Sequence, residues 1–373
     1  MIFQVAVKQE LRVELSPFDY TGPLPAERVT GRDALVDELI ERVTARHPTA
    51  LLGPRRFGKT SVLTKIAADL GEITTITIDL MPVQSPHDAV RALMAALLDA
   101  DAVVAAQAES ISATLGFNIA VLRGELRATR RSEQHDPTVA FSNLIDTLVK
   151  VALDRPTLIV FDEFQQIAAI DNGTAVLRTA LQHHYKDVGL LFAGSQPSAM
   201  RDIFANPTQP FLFQADIVEI GPLSLGAVVE LIADGFRRTG RRPGAVASLI
   251  HDFTGGHPLR TMQAAHAAWQ HADDDRADQR WGEAIASLRT AARPAVSGLY
   301  EQLATDRQKV LRLVASARPL FGTEAEQLRL STGGAQHARD RLLAEAHLTD
   351  RNGQLELVDP FLADWLRRER PVG

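Results

Sequence analysis

The stretch Gly53–Ser61, GPRRFGKTS, constrains this chain more than any other. It fits G-x-x-x-x-G-K-[ST], with Gly53, Gly58, Lys59 and Thr60 at the fixed positions. Each residue type has a physical task in holding a triphosphate. Gly53 and Gly58 permit backbone angles that a Cβ disfavours, so that successive N–H groups converge on one concavity. A helix starting near Gly58 adds the positive end of its dipole. Lys59 is a mobile point charge for the β- and γ-phosphates. Thr60 offers a hard hydroxyl oxygen suited to Mg²⁺. The intervening Pro54, Arg55, Arg56 and Phe57, with Ser61 after the motif, complete the candidate nucleotide-binding loop. At average glycine usage, about one chain of this length in a hundred carries such a pattern by chance.

The flanks fit the same expectation. Ala50-Leu51-Leu52 is a short apolar run before the loop, and Val62, Ile66, Ala67 and Leu70 line one helical face after it. The alternative is a Gly-Pro surface turn ahead of an ordinary helix.

A second run, TLIVFDEFQQI from Thr157 to Ile167, places two carboxylates at the end of a buried parallel strand. That edge is where open α/β sheets bind ligands. Asp162 there suits holding Mg²⁺ through a water, and Glu163 suits a general base acting on the attacking water. An apolar run ending in Asp-Glu is weak alone. About a hundred residues after the loop, with a β-branched strand at Ile73–Leu80 between them, it becomes strong. Gly189–Met200 reads as another buried strand ending in Ser195 and Gln196, either a γ-phosphate sensor or a plain turn. Ala215–Ser224 supplies the last of five strands. With helices between them, right-handed crossovers give a parallel sheet covered on both faces.

Together, the loop at Gly53–Thr60, FDEFQ, the GSQ turn at Gly194–Gln196, GPLS after the last strand and TGGHPL at Thr254–Leu259 resemble the archaeal-type STAND ATPases, AAA+-related P-loop proteins. The resemblance covers roughly residues 20–290. It implies an α/β P-loop NTPase core with strand order 5-1-4-3-2, a helical lid, and ATP or ADP with Mg²⁺ as ligands. It also implies that Gly256 and Pro258 meet the base, and that the segment around Val29 and Arg32 lies beside the adenine. From the residues alone, Arg32 is equally a solvated charge at a helix start, and GGHP a helix-breaking turn. One position departs from the family. Relatives carry a Gly-Arg pair where Phe213 and Gln214 stand here, which implies slow hydrolysis, with Arg201 as a candidate substitute or a plain surface residue.

The remaining segments divide as follows. Residues 1–20 read as an N-terminal strand extension, 21–225 as the ATPase core, 226–292 as the helical lid and 293–373 as a winged-helix domain. In the last, three helical stretches precede a hairpin about Asn352-Gly353 and a closing helix. From Glu301 to Gly373 there are 11 Lys/Arg and 11 Asp/Glu. DNA binding draws on phosphate neutralisation, so this balance favours a protein partner or self-association over DNA. Residues 86–130 read as helical with a break near Leu115-Gly116-Phe117, and Arg127, Arg130 and Arg131 as a solvated basic face.

The net charge of −6 supplies no general attraction to nucleic acid or to anionic membranes. The absence of cysteine excludes disulfides and thiolate chemistry. No apolar run approaches the ~20 residues of a membrane span, and the N-terminal residues lack the pattern of a signal peptide, so a cytoplasmic location is expected. The sequence therefore supports a nucleotide-dependent switch with ATPase activity. A nucleotide-holding scaffold and a DNA-binding regulator are the alternatives, and a P-loop kinase is a weaker one.

Overall fold

The computed structural model describes residues 15–100, 105–106, 137–272, 276–351 and 353–372. The expected strands of residues 2–15, the break at Leu115-Gly116-Phe117, the basic face at Arg127–Arg131 and Asn352 lie outside the described residues, Leu15 excepted.

Five strands, β1 (Thr49–Leu52), β2 (Thr74–Asp79), β3 (Thr157–Asp162), β4 (Gly189–Gly194) and β5 (Asp216–Glu219), form one sheet in the order β2-β3-β4-β1-β5, every pair parallel. This is the 5-1-4-3-2 order that the sequence resemblance implies. Parallel strands need covered faces, and β1 and β4 are buried along their whole lengths. One face is sealed by α1 (Asp33–Thr44) and α2 (Lys59–Asp69), through Val36, Leu39, Val62 and Ile66. The other is sealed by α3 (Pro86–Asp99) and α4 (Pro137–Asp154), with α5 (Gly173–Leu181) and α6 (Pro197–Ala205) completing the layer. Under the ends of β3 and β4, Phe161, Phe164, Phe192, Phe204 and Phe211 form an aromatic cluster, with Phe164 4.6 Å from Phe192 between centroids. Such rings fix the backbone that turns above them.

After the sheet come α7 (Leu225–Thr239), α8 (Val246–Thr254) and α9 (Pro258–Gln270), and then α10 (Trp281–Gln302), a 22-residue helix with Pro294 inside it. It runs unbroken through position 292/293, where the sequence suggests a boundary. The C-terminal unit is α11 (Thr305–Ala315), α12 (Thr323–Gln327), α13 (Thr332–Ala344), the antiparallel pair β6 (Leu348–Arg351) and β7 (Gln354–Leu357), and α14 (Pro360–Glu369). One continuous apolar cluster joins α7–α10 with this unit. Phe18, in the connector before α1, is buried in the same cluster against Phe236. Among the described residues, no helix is long and apolar enough to cross a membrane.

Candidate functional site

The C-terminal ends of β1, β3 and β4 lie side by side, because β4 pairs with both neighbours. That adjacency brings together groups more than a hundred residues apart in the chain. β1 ends in the loop 53–58, which enters α2 at Lys59. Arg56 (φ 68°) and Gly58 (φ 85°) take left-handed backbone angles there. A Cβ on Gly53 would lie 2.1 Å from Ile220 Cγ2, so the residue that follows β5 packs against the loop too closely for any side chain.

Lys59 is buried, and its Nζ donates to Gly53 O at 2.8 Å and Pro54 O at 3.1 Å. Burial pushes its pKa down to about 8, against the attraction of Glu163 and Asp162. Asp162 closes β3, and its Oδ1 accepts from the Glu163 N–H at 2.9 Å. Burial raises the Asp162 pKa, and the nearby Glu163 and Asp79 charges act in the same direction. Glu163 follows in a left-handed conformation (φ 53°). Its Oε2 accepts from Ser195 Oγ at 2.6 Å and from Gln165 Nε2. Ser195 is itself buried at the end of β4, and Arg55 Nε donates to its Oγ at 3.5 Å.

A cleft of about 640 Å³ lies over this point, lined by Arg55, Arg56, Phe57, Gly58, Lys59, Thr60, Ser61 and Glu163 on the core side. Its other walls are Val29, Thr30 and Arg32, the residues Leu223, Leu231, Pro258 and Met262, and the connector Asp19–Leu24. The mixture of cationic loop and apolar far wall suits a ligand with an anionic end and a flat apolar end. Ser61 Oγ accepts from the Leu24 N–H at 2.9 Å, which ties the connector to α2. Gly53 and Pro54 line a second cleft of about 740 Å³, between the strand ends and the C-terminal hairpin, together with Phe57, Arg201, Glu219 and His257.

Arg32 lines the cleft beside Val29, and its guanidinium is engaged within the protein. Its Nη2 donates to Gly221 O at 2.8 Å and to Phe57 O at 3.4 Å, and burial pushes its pKa down to about 10. It fastens the loop 53–58 to the segment after β5. Arg201 pairs with Glu219 and lines the second cleft, away from Lys59. At the departing positions, Phe213 is 83 % exposed with φ 55°, and Gln214 Nε2 donates to Leu212 O at 3.1 Å.

Gly256 (φ 73°) could carry no Cβ, since one would lie 2.0 Å from Leu223 O. His257 follows, buried, its ring edge-on to Phe57 at 4.8 Å between centroids. Burial pushes His257 down to about 4 despite the Asp359 carboxylate nearby. Its neighbour Arg260 makes a two-pronged ion pair with Asp359 and sits 4.3 Å from the Phe361 ring centroid. Burial alone would raise Asp359, but the Arg260 bond and charge hold it below the usual carboxylate range.

Sequence reasoning missed Gln165, the Arg260–Asp359 pair and the connector at Asp19–Leu24. Phe18, Tyr20 and Leu24, large apolar or aromatic residues in a Pro-rich connector, were the available signal for the last. Among the described residues, no cluster of three or more His, Cys, Asp or Glu suited to a metal is present.

No family model and no curated protein matches this chain. Solved structures do. The Walker-type ATPase PABY2304 of Pyrococcus abyssi aligns over 94 % of this chain and 99 % of its own, with TM-score 0.69 and 16 % identity. The Aeropyrum pernix ORC2 protein, in its ADPNP–ADP complexes, aligns over 94 % and 95 %, with TM-score 0.54 and 16 % identity. Its ADP form gives 94 % and 95 %, with TM-score 0.50 and 15 % identity. At these identities the likeness shows the fold, an α/β P-loop NTPase architecture that extends through the helical and C-terminal units.

Proposed function

We propose that this chain binds ATP with Mg²⁺ in the 640 Å³ cleft, hydrolyses it slowly, and uses the bound state to set the position of its helical and C-terminal units as a switch. The carrying observation is the meeting of Lys59, Glu163 and Ser195 at three adjacent strand ends beneath one cleft. In this reading the loop 53–61 holds the phosphates, and Lys59 leaves Gly53 O and Pro54 O for the β/γ-phosphate oxygens. Glu163 accepts a proton from the attacking water, and Ser195 contacts the γ-phosphate. The Thr60 hydroxyl and the Asp162 carboxylate are hard oxygens, the donor type that Mg²⁺ takes together with phosphates and waters. When bound, Mg²⁺ neutralises charge on the triphosphate. Pro258 and the apolar wall from Leu223 to Met262 take the base, while Arg32 holds the loop that faces it. The solved ORC2 complexes with ADPNP and ADP support a nucleotide in this fold.

Units 226–292 and 293–373 then act as lid and winged helix. α13 packs on α6, the helix that follows Ser195, and Ser198 Oγ donates to Leu343 O at 3.4 Å. A change at Ser195 therefore has a short route to the C-terminal unit, which favours a partner-directed or self-associating output over DNA. Phe213-Gln214 in place of Gly-Arg, with Arg201 engaged by Glu219, supports slow turnover and keeps a nucleotide-holding scaffold as the second reading.

Calorimetry with ATP and ADP, beside a phosphate-release assay, tests the proposal. Glu163→Gln should bind ATP like wild type and lose turnover, while Lys59→Ala should lose affinity. Wild-type turnover in Glu163→Gln would remove Glu163 from its role, and no binding by the wild type would end the reading.

A further inference from the structure

Gln165 belongs to the FDEFQ string, yet nothing in the nucleotide chemistry above uses it. Its placement is specific. It lies two residues after Glu163 in the 3-10 turn Phe164–Ala169, which Phe164 anchors in the aromatic cluster. It is 7 % exposed, and its Nε2 donates to Glu163 Oε2. The carbonyl end of the same amide, Oε1, is buried without a partner. The opposite amide orientation would set a carbonyl against a carboxylate, so the Glu163 charge decides which end faces it. A buried acceptor without a partner is unfavourable, and an apolar side chain of similar size would avoid that cost. The side chain is therefore explained by its N–H, not by its packing. Gly194 supports the same view, since a Cβ there would lie 2.7 Å from Gln165 Oε1 and 2.4 Å from Met200 Sδ. The glycine that ends β4 leaves room for the amide.

Resting on the ATPase reading above, we infer that Gln165 is a positioning residue that holds the Glu163 carboxylate by Oε2, leaving Oε1 to accept the proton of the attacking water. Ser195 shares Oε2 in the unliganded arrangement. Once a γ-phosphate draws the serine hydroxyl away, Gln165 is the donor that remains. The charged groups acting on this carboxylate are Lys59 from the P-loop helix, Asp162 from its own strand, and Arg55 through Ser195.

The test compares wild type, Gln165→Leu and Gln165→Glu in ATP binding, KM and kcat at pH 7. In Gln165→Leu, Kd and KM stay within about twofold while kcat falls at least about tenfold. Gln165→Glu, nearly isosteric but without the amide N–H, keeps nucleotide binding and loses kcat as well, which a merely space-filling role would not give. It also keeps the idea testable if the leucine variant misfolds. Wild-type or higher kcat in Gln165→Leu, wild-type kcat in Gln165→Glu, or a loss of kcat matched by an equal loss of ATP affinity each overturns the positioning role. A wild type that binds ATP without turnover overturns the ATPase reading first and this inference with it. An active wild type beside an unaffected Gln165→Leu overturns this inference alone.

Discussion

Lys59→Met should make the nucleotide-free protein more stable while abolishing its affinity for ATP. Lys59 is 6 % exposed, and its pKa falls from 10.5 to about 8, chiefly by burial. That drop corresponds to about 3 kcal/mol of unfavourable free energy for keeping the ammonium charged in the folded state. Methionine has a similar length and no charge. It forfeits the bonds to Gly53 O and Pro54 O, at about 1 kcal/mol each. The net gain at pH 7 is about 1–2 kcal/mol, or a few degrees in Tm for a cooperative unit of the core's size. The pH dependence is the sharper signature. Below about 8 the lysine is protonated in both states and the penalty is complete. Between about 8 and 10.5 the unfolded chain binds the proton and the folded one does not, so wild-type stability rises with pH. Above 10.5 the penalty is gone and the two hydrogen bonds favour wild type, so the order of the two proteins reverses. Saturating ATP reverses it at neutral pH too, since only wild type gains the ligand term, about 2.7 kcal/mol at a hundredfold excess over Kd. The assay is thermal or urea unfolding from pH 7 to 11 with and without ATP. A Lys59→Met protein less stable than wild type at pH 7 without nucleotide, or a stability gap that does not change with pH, refutes the reasoning.

Two further outcomes concern the junction with the C-terminal unit. Arg260→Ala leaves the Asp359 carboxylate without its partner and removes the cation over Phe361, so it should destabilise by about 3–5 kcal/mol in urea unfolding. A loss below 1 kcal/mol would show that the pair holds nothing together. His257, with an unfolded pKa of 6.5 and a folded one of about 4, contributes full stability above pH 6.5. As the pH falls from 6.5 to about 4 the unfolded chain takes up a proton that the folded one refuses, removing about 3 kcal/mol. Asp359, held low by Arg260, loses its own contribution only below 3.8. Urea midpoints for His257→Gln should therefore fall less than those of wild type over that window, and parallel curves would contradict the burial of a neutral imidazole.

What could be read in the chain beforehand follows a physical line. The loop at Gly53–Ser61 and the Asp162-Glu163 pair could be proposed as a site because the phosphate chemistry suggested for each is confined to one short segment, where residue type and spacing form a recognisable pattern. The inner strands β1, β3 and β4 were legible for a similar reason, since burial on both faces writes a continuous apolar run, whereas the edge strands β2 and β5 showed only β-branched residues alternating with polar ones. The strand order came from resemblance, because pairing is a property of the whole sheet. Contacts that join distant segments were not legible. Arg32 reaches Gly221, 189 residues on, and Arg260 reaches Asp359, 99 residues on. With 40 Lys/Arg and 46 Asp/Glu in the chain, opposite charges allow far more pairings than any fold can use. An arginine's partner is therefore chosen by geometry that no local pattern encodes. Gln165 falls between these cases. It is local to Glu163, but a glutamine after a strand is chemically unremarkable until the neighbouring strand's Gly194 and Ser195 are placed beside it. Its reading as a donor to the carboxylate thus depends on the β3–β4 register, which aligns Phe161 with Phe192 and so brings the two strand ends level.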